Sequence, residues 1–176
     1  MKGGTHEITH RLFFLERPYG TDCKNACRQN KGGRLFRIER NPPYSTDYET
    51  CSEVEGKADA EEKLRPALKL PLPDIRTFDA IFLAFPIWYY TYPGVIRSFL
   101  SSYPDWMGKP IYIFPNSLDE DPGFLPNTMK EAEKDAKNAE IRPGLYNKEL
   151  KNIDEWLASQ DFFEPLKPIK RRAKKA

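Results

Sequence analysis

A chain of 176 residues, 39% hydrophobic and 13% aromatic with a net charge of +2, is long enough to bury one sizeable core and short enough to be a single domain. Its 16 prolines and 10 glycines read as loop punctuation more than as disorder, since the apolar segments remain strong. No stretch reaches the roughly 18–20 apolar residues of a membrane span, and the opening Met1-Lys2-Gly3-Gly4-Thr5-His6 has no apolar signal core, so a cytoplasmic protein with reduced thiols at Cys23, Cys27 and Cys51 is expected.

Residues 1–10 read as an irregular lead-in carrying His6 and His10, the two histidines of the chain. A histidine-dependent triad or metal site would have to draw on these two alone, which disfavours both. A domain is expected over 11–163. Residues 12–15, Leu-Phe-Phe-Leu, form a short buried strand, and 16–22 form a turn in which Gly20 can take positive φ. Thr21 or Asp22 then caps a helix over about 23–30. A strand, a glycine turn and a helix N-terminus together hold phosphate through backbone N–H groups; a lone glycine is more often the mark of an ordinary turn. Residues 34–39 alternate as a more exposed strand does, Pro42 and Pro43 break it, and 46–64 favour a charged helix with Gly56 as its weak point.

Residues 78–86 run Phe-Asp-Ala-Ile-Phe-Leu-Ala-Phe-Pro, an apolar stretch that predicts a strand buried on both faces, hence parallel and central. The aromatic loop Ile87-Trp88-Tyr89-Tyr90-Thr91-Tyr92 follows. Val95, Ile96, Phe99 and Leu100 then recur at helical spacing, with Arg97, Ser98 and Ser101 between them, from a start near Pro93. A fourth strand over 110–114 exits into an acidic loop over 115–123. A charged helix over 127–137, a short fifth strand within 140–145 and an amphipathic helix marked by Leu150, Ile153 and Leu157 complete the order. Repeated strand–helix alternation predicts a three-layer α/β sandwich around a parallel sheet, with ligands bound beyond the carboxyl ends of the strands.

Residues 164–176 read as a basic tail. Lys167, Lys170, Arg171, Arg172, Lys174 and Lys175 supply 6 of 28 basic residues and leave the remainder with 22 basic against 26 acidic. The tail is expected to be a solvated terminus, and no nucleic-acid partner is assigned to it.

Arg65-Pro66-Ala67-Leu68, Leu72-Pro73-Asp74, Phe78-Asp79-Ala80-Ile81-Phe82-Leu83, Pro86-Ile87-Trp88 and Gly108-Lys109-Pro110-Ile111 resemble the bacterial flavodoxin-like proteins whose central strand exits through a Pro-Ile-Trp-Trp-Gly-Thr loop. The resemblance is specific over about 60–114. It implies a five-stranded parallel sheet in the order 2-1-3-4-5 and non-covalent FMN. Carried over by position, the aromatic wall for the flavin is Pro86-Ile87-Trp88-Tyr89-Tyr90-Thr91, with Tyr90 where the family has glycine. The phosphate loop becomes Arg17, Tyr19, Gly20, Thr21 and Asp22. Pro18 removes one N–H there, and Asp22 sets a like charge against the phosphate. The third loop supplies Asn116 and Ser117, followed by Asp119, Glu120 and Asp121 in place of small residues.

Two functional classes follow. One is a flavodoxin-type electron-transfer protein or oxidoreductase in which FMN carries the redox chemistry, no side chain acts as a catalytic acid or base, and electrons pass to a redox partner or a small acceptor. The other is a flavodoxin fold that has lost FMN and serves as a binding or interaction module. A hydrolase is disfavoured because the expected ligand loops hold no Ser/His/Asp or Cys/His arrangement, and three consecutive carboxylates at 119–121 read as a solvated turn ahead of a metal site.

Overall fold

The computed structural model describes residues 11–15 and 33–159. The expected lead-in, phosphate loop, helix over 23–30 and basic tail lie outside the described residues. The centre of the sheet is β3, Ala80–Pro86, buried along its whole length. It pairs in parallel with β1, Arg11–Leu15, on one side and with β4, Pro110–Asn116, on the other. Strands β2, Gly33–Arg37, and β5, Glu140–Pro143, complete the described sheet in the order β2-β1-β3-β4-β5, every neighbouring pair parallel.

Side chains alternate across a strand, so β3 divides the interior in two. Ile81, Leu83 and Phe85, with Ile111 and Ile113 of β4, face helix α2, Gly94–Ser101, and pack on its Val95, Ile96, Phe99 and Leu100. Helix α3, Leu125–Asp135, closes the same layer through Ala132. Ala80, Phe82 and Ala84, with Tyr112 and Phe114, face the other way onto Leu150, Ile153 and Leu157. The last two belong to helix α4, Ile153–Ser159, and Leu150 to the 3₁₀ turn before it, Asn147–Asn152. Each Val, Leu, Ile or Phe side chain among them removed from water contributes about 1.5–3 kcal/mol. The expected α/β fold with a parallel sheet is the one observed.

Three local readings change. Phe78 ends a 3₁₀ turn, Ile75–Thr77, that Asp74 caps by accepting the Arg76 N–H, so β3 begins two residues later than its apolar run. The helix expected over 46–64 forms, but its middle is wound as a π-helical segment, Thr50–Gly56, that passes at Gly56 into α1, Lys57–Glu61. Finally, Arg97 and Ser98, placed by periodicity between the apolar positions of α2, are buried along with them. Their polar groups find partners far away in sequence: Arg97 meets Glu131 and Asp135 of α3, and Ser98 donates to the Pro66 carbonyl.

Candidate functional site

Parallel strands leave their carboxyl ends open to loops, and a cleft of about 490 Å³ lies there. Its floor is the end of the β3–β4 ladder. Pro86 pairs with Asn116, and the Ile87 N–H donates to the Asn116 carbonyl at 2.7 Å, extending the ladder by one bond. Pro86, Ile87, Asn116 and Ser117 therefore line the base of the cleft.

One wall is the aromatic loop. Trp88 and Thr91 exchange both backbone hydrogen bonds, at 2.8 and 3.0 Å, around a two-residue turn. Such turns place their two central residues at positive φ, and Tyr89 and Tyr90 sit at +48° and +64°. Tyr90 thus makes the turn that the resemblance assigns to glycine, in a conformation that costs an L side chain about 1–2 kcal/mol. Trp88 is half-buried and meets Tyr44 edge to face, with centroids 5.1 Å apart. Trp88 and Tyr89 line the cleft; Tyr90 is 74% exposed and stands outside it. Thr91 is turned inward, its hydroxyl donating to Glu131 Oε2 at 2.8 Å. Tyr92 is fully buried against Phe85 and donates to Asp135 Oδ2 at 2.8 Å. Burial first, and the neighbouring Asp135 charge next, push the Tyr92 hydroxyl far above the usual phenol range.

The opposite wall follows β2. Asp47 accepts from both the Thr50 N–H and its hydroxyl, at 2.8 and 2.7 Å, which caps the start of the helical segment and holds the Asp47 carboxyl below its ordinary value. The π-helical turns bring Cys51, Ser52 and Glu53 to the cleft, beside Tyr44 and Tyr48; π-helical segments often occur at functional sites. The segment packs closely on the aromatic loop, because a Cβ on Gly56 would come 3.3 Å from Trp88 Cε3 and 3.1 Å from the Cys51 carbonyl. Tyr89 spans the two walls, its hydroxyl donating to Glu53 Oε2 at 3.1 Å with the Ser52 carbonyl at 3.2 Å. Partial desolvation first, and the Glu53 carboxylate next, raise that hydroxyl above the usual phenol value.

The third loop turns its acids away from the base. Leu118, wholly exposed, is its last residue on the cleft. From there Ser117, Asp119 and Asp121 accept in succession from the N–H groups of Asp119, Asp121 and Gly123, and the Tyr146 hydroxyl donates to the Asp119 carbonyl. Among the described residues no cluster of metal-ligating side chains is present, and Glu53 is the one charged residue on the cleft wall.

The structure thus brings Pro86, Ile87, Trp88, Tyr89, Asn116 and Ser117 to one cleft and leaves Tyr90 and Thr91 off its surface. Arg17, Tyr19, Gly20, Thr21 and Asp22 lie outside the described residues. Sequence reasoning passed over Tyr44, Tyr48, Cys51, Ser52, Glu53 and Leu118. The missed signal was the exit of β2: its loop opens at the same end of the sheet as that of β3, and the Pro42-Pro43-Tyr44 break marks it.

The sequence profile of the flavodoxin family matches residues 23–160. Among solved structures, the chain is similar to a Bacteroides eggerthii protein named as a flavoprotein, with 24% identity, a TM-score of 0.65, and coverage of 85% of this chain and 95% of that one. It is also similar to a flavoprotein of Lactobacillus acidophilus solved in complex with FMN, with 14% identity, a TM-score of 0.65, and coverage of 85% and 97%. A Bacteroides uniformis protein named as a flavoprotein is 25% identical with a TM-score of 0.62, over 89% of this chain and 99% of that one. No curated protein is significantly similar in sequence.

Proposed function

Because the chain belongs to the flavodoxin family, we propose that its cleft binds FMN and that the protein serves as an FMN-dependent electron carrier or oxidoreductase. The observation that carries this reading is the cleft itself, an opening of about 490 Å³ at the carboxyl ends of β3 and β4, walled by Trp88 and Tyr89. Its residues suit a flat, largely uncharged ring system. Indole and phenol faces stack on such rings, while Asn116 and Ser117 at the base offer polar groups to the ring edge.

In this reading Trp88 and Tyr89 hold the ring, Asn116 and Ser117 orient its polar edge, and residues 17–22 receive the phosphate. When bound, FMN supplies one- and two-electron redox chemistry, and the protein supplies binding, orientation and the surrounding field. Glu53 places a carboxylate on the wall, and Asp119, Glu120 and Asp121 follow the last lining residue. This excess of negative charge favours cationic surfaces or acceptors over anionic ones as electron partners.

A second reading, a cofactor-free interaction module, is favoured by the hydroxyl bridge from Tyr89 to Glu53 and Ser52, which joins the walls that a ring would enter between. Purified protein decides between them. A yellow preparation with flavin absorbance, or quenching of FMN fluorescence on titration of the colourless protein, is the expected result. Colourless protein without quenching at micromolar FMN overturns the redox reading.

A further inference from the structure

The turn that forms the aromatic wall is strained, and its local chemistry does not relieve that strain. Asn and Gly ordinarily occupy the two central positions of such a turn because both tolerate positive φ; here both are tyrosines, at +48° and +64°. A conformation of this kind persists where surrounding structure over-determines it. On the cleft side the Tyr89 hydroxyl reaches Glu53 and the Ser52 carbonyl; on the side away from the cleft the turn is held at Thr91.

Thr91, 9% exposed, closes the turn and donates its hydroxyl to Glu131 Oε2 at 2.8 Å. The same oxygen receives an Arg97 Nη2 hydrogen at 3.2 Å, and Glu131 Oε1 receives Lys63 Nζ at 2.9 Å. Arg97, 2% exposed, spends its other terminal nitrogen on Asp135 Oδ2 at 3.0 Å, and its Nε finds no acceptor among the described residues. Asp135 also takes the Tyr92 hydroxyl and, at 2.5 Å on Oδ1, Arg65. Within this cluster Arg97–Asp135 is a buried ion pair, and such pairs add little net stability relative to apolar packing. What the cluster does is fix a single oxygen, Glu131 Oε2, against the inward end of the strained turn.

We propose that Glu131 is the positioning residue of the cleft: acting through the Thr91 hydroxyl, it keeps the Trp88–Thr91 turn closed and so keeps Trp88 and Tyr89 standing as a wall. The proposal goes beyond the flavin reading, since it concerns how the wall is held whatever enters the cleft; only its affinity arm rests on that reading.

The test compares full-length wild type with Thr91→Val, which keeps the shape and removes the hydroxyl, and with Thr91→Ser, which restores the hydroxyl. Amide hydrogen exchange by NMR is read at Trp88 and Thr91, whose N–H groups close the turn, and at Ile111 and Ile113 of β4 as internal controls. Thr91→Val is expected to speed exchange at Trp88 and Thr91 at least tenfold with β4 unchanged, and to weaken FMN binding about tenfold. Thr91→Ser is expected to behave as wild type in both. A protein that merely lost stability would speed exchange in β4 as well. Should Thr91→Val fail to fold, Glu131→Ala with Glu131→Gln as the acceptor-retaining control makes the same comparison. Wild-type protection of the turn in the hydroxyl-less or acceptor-less variant overturns the proposal. If wild type binds no FMN, the flavin reading falls while the exchange measurement still decides the brace.

Discussion

The Asp59 carboxylate occupies the space that a side chain on Gly94 would fill, with its carbon and both oxygens 2.6–2.7 Å from an ideal Gly94 Cβ. Asp59 is buried, accepts the Gly94 N–H at 2.9 Å and accepts the hydroxyl of Tyr44. A carboxylate from α1 therefore caps the start of α2, and the positive end of the helix dipole favours it there. Gly94→Ala should destabilise the protein by about 2–4 kcal/mol, since it combines overpacking with loss of a charged hydrogen bond. A drop in urea midpoint at constant m value checks it.

Tyr90 offers the opposite case. Its side chain is 74% exposed and its φ is +64°, so Tyr90→Gly removes strain and little packing. The gain should be about 0.5–1 kcal/mol, the relief of left-handed strain less the extra backbone entropy of glycine in the unfolded chain. Thermal denaturation would show a Tm rise of a few degrees.

Gly56 stands where two elements touch. A Cβ there meets the Cys51 carbonyl at 3.1 Å and the Trp88 ring at 3.3 Å, so Gly56→Ala must push one of them by a few tenths of an ångström. Alanine is the better helix former by about 1 kcal/mol, which offsets the crowding, and global stability should stay within about 1 kcal/mol of wild type. Ligand affinity should fall instead, because the displaced group is the cleft wall; an FMN titration beside a urea curve separates the two effects.

Acid should loosen the aromatic loop before the sheet. Burial acts to raise the Glu131 pKa, but the hydrogen bonds from Lys63, Thr91 and Arg97 together outweigh it and hold the carboxyl below its ordinary 4.5. A depressed carboxyl contributes stability above its unfolded pKa and loses it as pH falls through the folded one, so the contribution declines from just above pH 4.5 downward. Asp135, Arg65 and Tyr92 adjoin the same cluster. Between pH 6 and pH 3 the Thr91 amide should lose protection in wild type, and this pH dependence should be much reduced in Glu131→Gln.

The layered fold was legible because apolar runs and helical spacing are local properties. The burial of β3 follows from its seven consecutive residues, and Leu150, Ile153 and Leu157 fall on the core as their spacing requires. The aromatic wall was legible for the same reason, as a cluster at a strand exit. Arg97 was not: its position on α2 looks solvent-facing until two carboxylates from α3, more than thirty residues later, arrive to neutralise it. The resemblance puts a glycine at position 90, whereas the chain makes the left-handed turn there with a tyrosine. Glu53 and Cys51 line the cleft from a π-helical segment, a winding that helical periodicity does not announce.

The two jobs at this cleft fall on separate lengths of chain. Every described lining residue lies between Tyr44 and Leu118, while Glu131 and Asp135, which meet the aromatic loop from behind, come afterwards. A polypeptide emerging in order therefore carries these contact residues before it owns the fastening, which arrives only with α3.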